Sequence, residues 1–400
     1  MKIGIAGPIS TESIARFIDG DFNQLPLGYS GAPLLGTLIG ELLSRGHQVS
    51  AYTTSSDLPL DLAQPVVAAG KQFKIYYCPQ RKHSLRMNGR NLGRIVDFFG
   101  LERRYLEQAI RMDAPDVVHA HWAYEFALAA IASGKPHVVT CHDAPREVLK
   151  YMPNIYRFGR YLMARKAMRT AIALTTVSPY MRDLLGCSSI EVIPNPLPPE
   201  IAQKAFDLHR QLNCAAPLVV MVANGWGKRK NAEAGMLAFA SLRTALGGAR
   251  LKLYGSDFGA GEAAHRWAVT HKVDAGMQFV GKLPYAALLG EIALGDVLLH
   301  PSLEESFGMV VAEAMALGVP VVGGQASGAV PWVIDAGGVV ADVTNVEAIA
   351  QALKQVISNP EGWQRMRALA CQSAQSRFAP NVVADAYERL YQKQLSKGSR

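Results

Sequence analysis

The stretch Pro301 to Val322, PSLEESFGMVVAEAMALGVPVV, constrains this 400-residue chain most, because its punctuation allows few arrangements. It reads as loop, then helix, then strand. Ser306 is placed to cap a helix whose first turn holds Phe307, Gly308 and Met309. Gly318 and Pro320 supply the stop, and Val319 to Val322 resume as an apolar strand. Asp296 to His300 is a further apolar strand just before the loop. The helix therefore begins at the carboxyl end of a strand, where open α/β sheets place ligands.

The free N–H groups of a first helical turn point outward, and the helix dipole favours an anion beside them. Gly308 has no side chain, so a phosphate can approach the backbone there. Glu305 lies in the loop and Glu313 in the second turn. Two carboxylates beside an anion site make sense for a ligand with hydroxyls as well as phosphates, such as a nucleotide sugar. Glu313 would hold ribose hydroxyls, Glu305 the sugar ring, and the diphosphate would lie between. The plainer alternative is that both acids favour the positive helix end or face solvent. The spacing Glu305-x7-Glu313, with Phe307-Gly308 inside it and AMALGVPVV after it, closely resembles the signature of retaining glycosyltransferases of the GT-B fold, family 4.

That resemblance implies an α/β chain of two doubly wound, Rossmann-like domains facing across a cleft. Strands alternating with helices imply the same class, and the length suits two domains. The boundaries expected are an acceptor-side domain over 1–195, a nucleotide-sugar domain over 200–379, and a final helix over 380–396 packing back on the first.

In the first domain, Ile3 to Ala6 is an apolar strand, and Gly28 to Pro33 opens a helix reaching Ser44 with leucines and Ile39 at helical spacing. This is not the dinucleotide G-x-G-x-x-G, and an ordinary β–α turn explains the loop as well. By the resemblance, Gly31 faces the donor and Tyr29 the acceptor. Ser30 stands where the family usually has a second glycine. The strands Asp116 to Trp122 and Pro136 to Asp143 both end in histidine. His119 and His121 share a strand face, but no third ligand is signalled, so no metal is expected. His-Ala-His-Trp is similar to the family pattern in which the second histidine lines the catalytic cleft. That makes His121 a contact to donor sugar or acceptor, with His142 and Asp143 as further cleft candidates. Ile190 to Pro199, rich in proline, reads as the linker between domains.

In the second domain, Leu218 to Val222 is a strand, followed by Asn224-Gly-Trp-Gly-Lys-Arg-Lys-Asn231 and a helix from near Asn231. Clustered cations beside a helix start form a second anion device. Lys230 and Asn231 match the family's phosphate-binding lysine and its neighbour. The family's usual arginine is missing, Asn224-Gly225 occupying its place, and Lys228 or Arg229 is left to replace the charge. Trp226 either covers the sugar or packs the domain edge. Gly281 and Lys282, at the exit of the strand Met277 to Gly281, fall where the family's backbone reads the base. Ser306, Phe307, Gly308 and Met309 complete the donor set.

The formal charge of +8 fits anionic partners without demanding one. Residues 81–111 and 151–169 are rich in arginine with interspersed aromatic and aliphatic residues. Such segments either lie on anionic lipid or form solvated helix faces. The basic residues lack the aromatic interleaving of single-strand binders, so nucleic acid is not an expected partner. Five scattered cysteines form no C-x2-C pair, which points to reduced thiols in the cytosol. The start lacks a signal-peptide core, and no apolar run is long enough to span a bilayer. The expected protein is an enzyme without cofactor, free in the cytoplasm or at the inner membrane face. It would move a hexose from a UDP- or GDP-linked donor, with retention and without metal, to a glycan or lipid-linked acceptor in cell-envelope polysaccharide synthesis. A non-hydrolysing nucleotide-sugar epimerase of the same fold and a binding-only relic are the alternatives.

Overall fold

Short β-branched runs, too apolar to face water on either side, alternate here with helices, and the outcome is two separate sheets of mainly parallel strands. The structure is a computed structural model that describes residues 1–29, 31–202 and 210–398. Ser30 lies outside the described residues. The chain divides into two units, Met1–Pro198 together with the residues from Pro380 on, and Pro199–Ala379.

The first unit contains β1 (Lys2–Ala6), β2 (Gln48–Ser55), β3 (Val66–Gly70), β4 (Phe73–Pro79), β5 (Val117–His121), β6 (His137–Cys141), β7 (Leu174–Thr176) and β8 (Glu191–Val192). Their order in the sheet is β3-β4-β2-β1-β5-β6-β7-β8. All neighbours run parallel except β3 with β4. The winding reverses between β1 and β5, so the loops after these strands open at a topological switch point. The helix Pro33–Ser44 covers one face with buried Leu35, Leu38, Ile39 and Leu42. The last helix, Pro380–Gly398, lies on the same face and buries Val383, Tyr387, Leu390 and Tyr391 among them. Arg45 holds that helix from outside through Asp385 and Glu388.

The second unit contains β9 (Leu218–Val222), β10 (Arg250–Tyr254), β11 (Met277–Gly281), β12 (Val297–His300), β13 (Val321–Gly324) and β14 (Gly338–Ala341), in the order β11-β10-β9-β12-β13-β14 and all parallel. Here the switch point falls between β9 and β12. The loops after these two strands carry Lys230 and Glu305, so topology alone brings them to one edge of the sheet.

Two expectations need correction. Ile190 to Pro199 is not linker throughout, because Glu191 and Val192 pair with Thr175 and Thr176 as the edge strand β8. The prolines that disfavour a strand begin only at Pro194. Nor is the stretch 81–111 one amphipathic surface segment, since only Gly100–Asp113 is helical. Arg81 is buried, with Nη2 donating to Glu102 Oε2 at 2.5 Å and Nη1 to Asp97 Oδ2 at 2.9 Å. Arg94 donates to the Arg81 carbonyl. A loop without a regular ladder must satisfy its polar groups somehow, and these arginines do so internally.

Candidate functional site

In the second unit, the loop after β9 is bound to the loop after β12 by its backbone. Leu303 N–H donates to the Arg229 carbonyl at 2.8 Å. Asn231 sits at φ 52°, at the start of the helix Ala232–Ala245. Its Nδ2 donates to the carbonyls of Pro301 and Val343 at 3.1 and 2.7 Å. Asn231 is thus a clamp between loops. That clamp presents Lys230, whose Nζ meets Glu305 Oε1 at 2.6 Å. Arg229 Nη1 donates to the Glu304 carbonyl at 2.9 Å and lies 3.7 Å from Glu305 Oε2. His300 Nε2 is 3.4 Å from Glu305 Oε1. Burial would raise the Glu305 pKa, but His300 and Lys230 outweigh it and hold the carboxyl well below its ordinary range. Glu305 is therefore charged and pairs with Lys230.

The helix does not start where the sequence pattern places it. It spans Met309–Ala316, and Gly308, at φ 91° and ψ 64°, takes the cap position expected for Ser306. The physical reason lies one residue earlier. Phe307 is buried, with its ring 5.3 Å from that of Phe378 and 6.2 Å from Trp332. With Phe307 pinned in the core, the chain must turn sharply into the helix, and only glycine takes that left-handed backbone cheaply. Phe307 is thus an anchor for the loop. The amides of Met309 and Val310 have no intrahelical partner and point out of the start of the helix.

Glu313 lies in the next turn and is also buried, and the only hydrogen bond to its carboxyl group among the described residues is from the Tyr285 hydroxyl to Oε1 at 2.6 Å. Burial pushes its carboxyl up to about 7, partly offset by the Tyr285 bond. The two acids of the motif are therefore unlike. Glu305 is ionised and paired; Glu313 sits near its titration point with no cation paired to it among the described residues.

The remaining second-unit candidates differ in placement. Lys228 and Lys282 are exposed, whereas Arg229 faces the acidic loop. Gly281 ends β11 at φ 82°, and its carbonyl accepts from Gly255 N–H at 2.9 Å. Asn224, where an arginine was missed, accepts from Ser256 N–H and shapes the turn. Trp226 packs against Phe258 and Trp267 with ring centroids 6.0 and 5.9 Å apart, so it belongs to the domain edge.

In the first unit, the switch point gathers Gly31, Tyr29 and the two histidine strands. Gly31 has φ 136°, and a side chain there would meet open space. His121 Nδ1 lies 2.8 Å from His142 Nε2, so one ring donates to the other. Burial, with the neighbouring His119 and His142, holds His121 well below its usual pKa, and burial pushes His142 down to about 3. Both rings are neutral at neutral pH. His121 Nε2 is buried without a hydrogen-bond partner among the described residues. His119 instead bonds Tyr391 and Thr140 at 2.7 and 2.6 Å, which makes it structural. Trp122 follows His121 at φ 63° and stacks on His142, ring centroids 4.2 Å apart. Left-handed backbone is costly for a bulky residue. Asp143 is half-buried and accepts from the Tyr124 hydroxyl at 2.9 Å; desolvation raises its pKa against the pull of Arg160. Tyr29, Gly31, Trp122, Glu125 and Arg160 line a cavity of about 160 Å³, in which Arg160 Nη1 meets Glu125 Oε2 at 3.1 Å.

Sequence reasoning missed Tyr285, His300, Trp122, Glu125 and Arg160. Tyr285 and Glu313 are 28 positions apart in unrelated elements, and no spacing rule connects them. Arg160 was read as one charge in a basic helix, and only the fold shows its side chain turned inward.

The profile of glycosyl transferases group 1 matches residues 209–372, and that of glycosyltransferase family 4 matches residues 34–201. Among curated relatives, the chain is 24% identical over 374 residues to N-acetyl-alpha-D-glucosaminyl L-malate synthase of Bacillus anthracis, covering 90% of this chain and 93% of that one. It is 28% identical over 294 residues to glycogen synthase of Mycobacterium tuberculosis, covering 69% and 68% of the respective chains. The solved sucrose-phosphate synthase of Thermosynechococcus elongatus superposes with a TM-score of 0.71 at 16% identity, over 99% of this chain and all of that one.

Proposed function

Since the chain belongs to the family 4 glycosyltransferases, with the GT-B fold, we propose that the second unit binds a UDP- or GDP-linked hexose at the switch point between β9 and β12. The observation that carries this reading is the convergence of Lys230, Arg229 and the start of the helix Met309–Ala316 around Glu305. Lys230, Arg229 and the amides of Met309 and Val310 hold the diphosphate. Glu313 accepts from the ribose hydroxyls, and Glu305 orients the sugar. Gly281 and Lys282 meet the base.

When the glycosidic bond breaks, the departing phosphate oxygen gains negative charge, and preorganised cations and amides stabilise it. These groups supply the charge compensation a metal would give, which supports a metal-independent reaction without a cofactor. The acceptor oxygen attacks the anomeric carbon from the face that the phosphate leaves, and its proton passes to that phosphate. The configuration is retained, and Glu305 forms no covalent bond. His121 contacts the sugar or the acceptor. The first-unit cavity with Tyr29, Trp122, Glu125 and Arg160 takes the acceptor, a glycan or lipid-linked sugar of cell-envelope polysaccharide synthesis. An aromatic face beside a paired carboxylate and guanidinium suits a polyhydroxylated ring.

Thermal-shift titration against UDP- and GDP-linked hexoses tests the donor, followed by transfer assays with the donor that binds. The expected result is stabilisation by one base family and slow donor hydrolysis, with no change at the sugar carbons. Epimerised sugar from donor alone would overturn sugar transfer in favour of the epimerase reading.

A further inference from the structure

The helix Ile155–Thr170 presents an outward face that the sugar-transfer chemistry does not use. Ile155, Phe158, Leu162, Arg165, Lys166 and Arg169 are all exposed. At 3.6 residues per turn they fall within an arc of about 100°. Along the helix axis, the N-terminal half of this stripe is apolar and the C-terminal half is basic. Ile155 and Phe158 are 67% and 50% exposed, far from where large apolar side chains usually sit. Met152, just before the helix, is exposed as well.

A second segment extends the apolar end. Gly159 packs so closely on Ile95 that an added Cβ would lie 2.7 Å from it, which sets the 95–99 turn beside the helix. From this turn Val96 and Phe98 are exposed, and Phe98 is held at φ 53°, a backbone region unfavourable for an aromatic residue. Residues 151–182 contain no Asp or Glu at all, and no carboxylate pairs with Arg165, Lys166 or Arg169 among the described residues. A solvated helix face ordinarily mixes signs of charge and keeps its apolar residues inside.

We infer that this face docks the first unit on an anionic lipid bilayer, with Ile155, Phe158 and Phe98 entering the acyl boundary and Arg165, Lys166 and Arg169 lying on the headgroups. Charge complementarity selects the occupant. Apolar side chains beside unpaired cations match the layered chemistry of an anionic membrane surface, whereas a self-docking copy would set those cations against one another. This inference rests on the surface alone and is independent of the donor chemistry.

The test is co-sedimentation of the full chain with vesicles of phosphatidylcholine, with and without about one-third phosphatidylglycerol. Two double or triple variants, Ile155→Ser with Phe158→Ser, and Arg165→Glu with Lys166→Glu and Arg169→Glu, are run beside it. The wild type should bind the anionic vesicles, release at high salt, and bind neutral vesicles weakly. Each variant should lower binding by at least about tenfold while keeping its circular dichroism and its affinity for the donor nucleotide. Equal binding by variants and wild type, or no binding to anionic vesicles, would overturn the inference. So would a lipid-free dimer that the Ile155→Ser, Phe158→Ser variant dissolves, because the face would then belong to a second copy.

Discussion

Replacing Lys230 with alanine is expected to cut sugar transfer at least about a hundredfold, the usual cost of removing one donor aimed at a developing oxyanion. Lys230 Nζ is the charge held closest to Glu305, at 2.6 Å, and the Asn231 clamp fixes the loop that presents it. The departing diphosphate carries more charge on its bridging oxygen in the transition state than in the ground state, so kcat should fall more than KM rises. Arg229 is 3.7 Å from the same carboxylate and limits the damage to stability. A thermal melt separates a folding defect from a chemical one. Steady-state kinetics with the donor identified by thermal shift measures the effect, and near-normal turnover would contradict the role given to Lys230.

Glu313→Gln should move stability and ligand affinity in opposite directions. The Glu313 carboxyl is raised by burial from 4.5 to about 7. Between those values the folded chain keeps a proton that the unfolded chain releases, so this group lowers stability as pH rises through about 7. The loss is about 3 kcal/mol in full. The glutamine variant removes this titration and should melt higher than wild type at about pH 8, with little difference at about pH 5. Ribose hydroxyls, however, need acceptors, and an ionised carboxylate provides them better than an amide. Affinity for the nucleoside diphosphate should fall about tenfold to a hundredfold in the variant, as for a lost bond to a charged group. In the wild type, affinity should weaken with acidification below about pH 7, whereas the variant should be flat. Melts and calorimetric titrations across pH check both halves. A variant no more stable at high pH, with unchanged affinity, would contradict them.

Much of this was legible before any coordinates. Apolar runs of strand length, glycine and proline stops and the Glu305-x7-Glu313 pattern depend on local chemistry, and local chemistry is what a sequence displays. The sequence also directed the loops bearing Lys230 and Glu305 to one cleft, but only the strand order shows that they follow strands flanking one switch point. The start of the helix was misplaced for a tertiary reason. Ser306 is a good cap in isolation, but Phe307 is claimed by Phe378 and Trp332, and Gly308 absorbs the turn. Arg81 and Arg160 carry the same formal charge as their exposed neighbours, and only packing separates the inward arginines from the outward ones. The edge strand β8 is two residues long, too short for any periodicity. Trp122 owes its importance to a backbone angle that no side-chain pattern encodes.

The most direct test is a crystal structure with the nucleoside diphosphate that the titrations select. The diphosphate is expected within hydrogen-bond distance of Lys230 Nζ and the amide of Met309 or Val310, with ribose hydroxyls on Glu313. A nucleotide seated away from the loops after β9 and β12, or one whose ribose leaves Glu313 bonded only to Tyr285, would contradict the assignment.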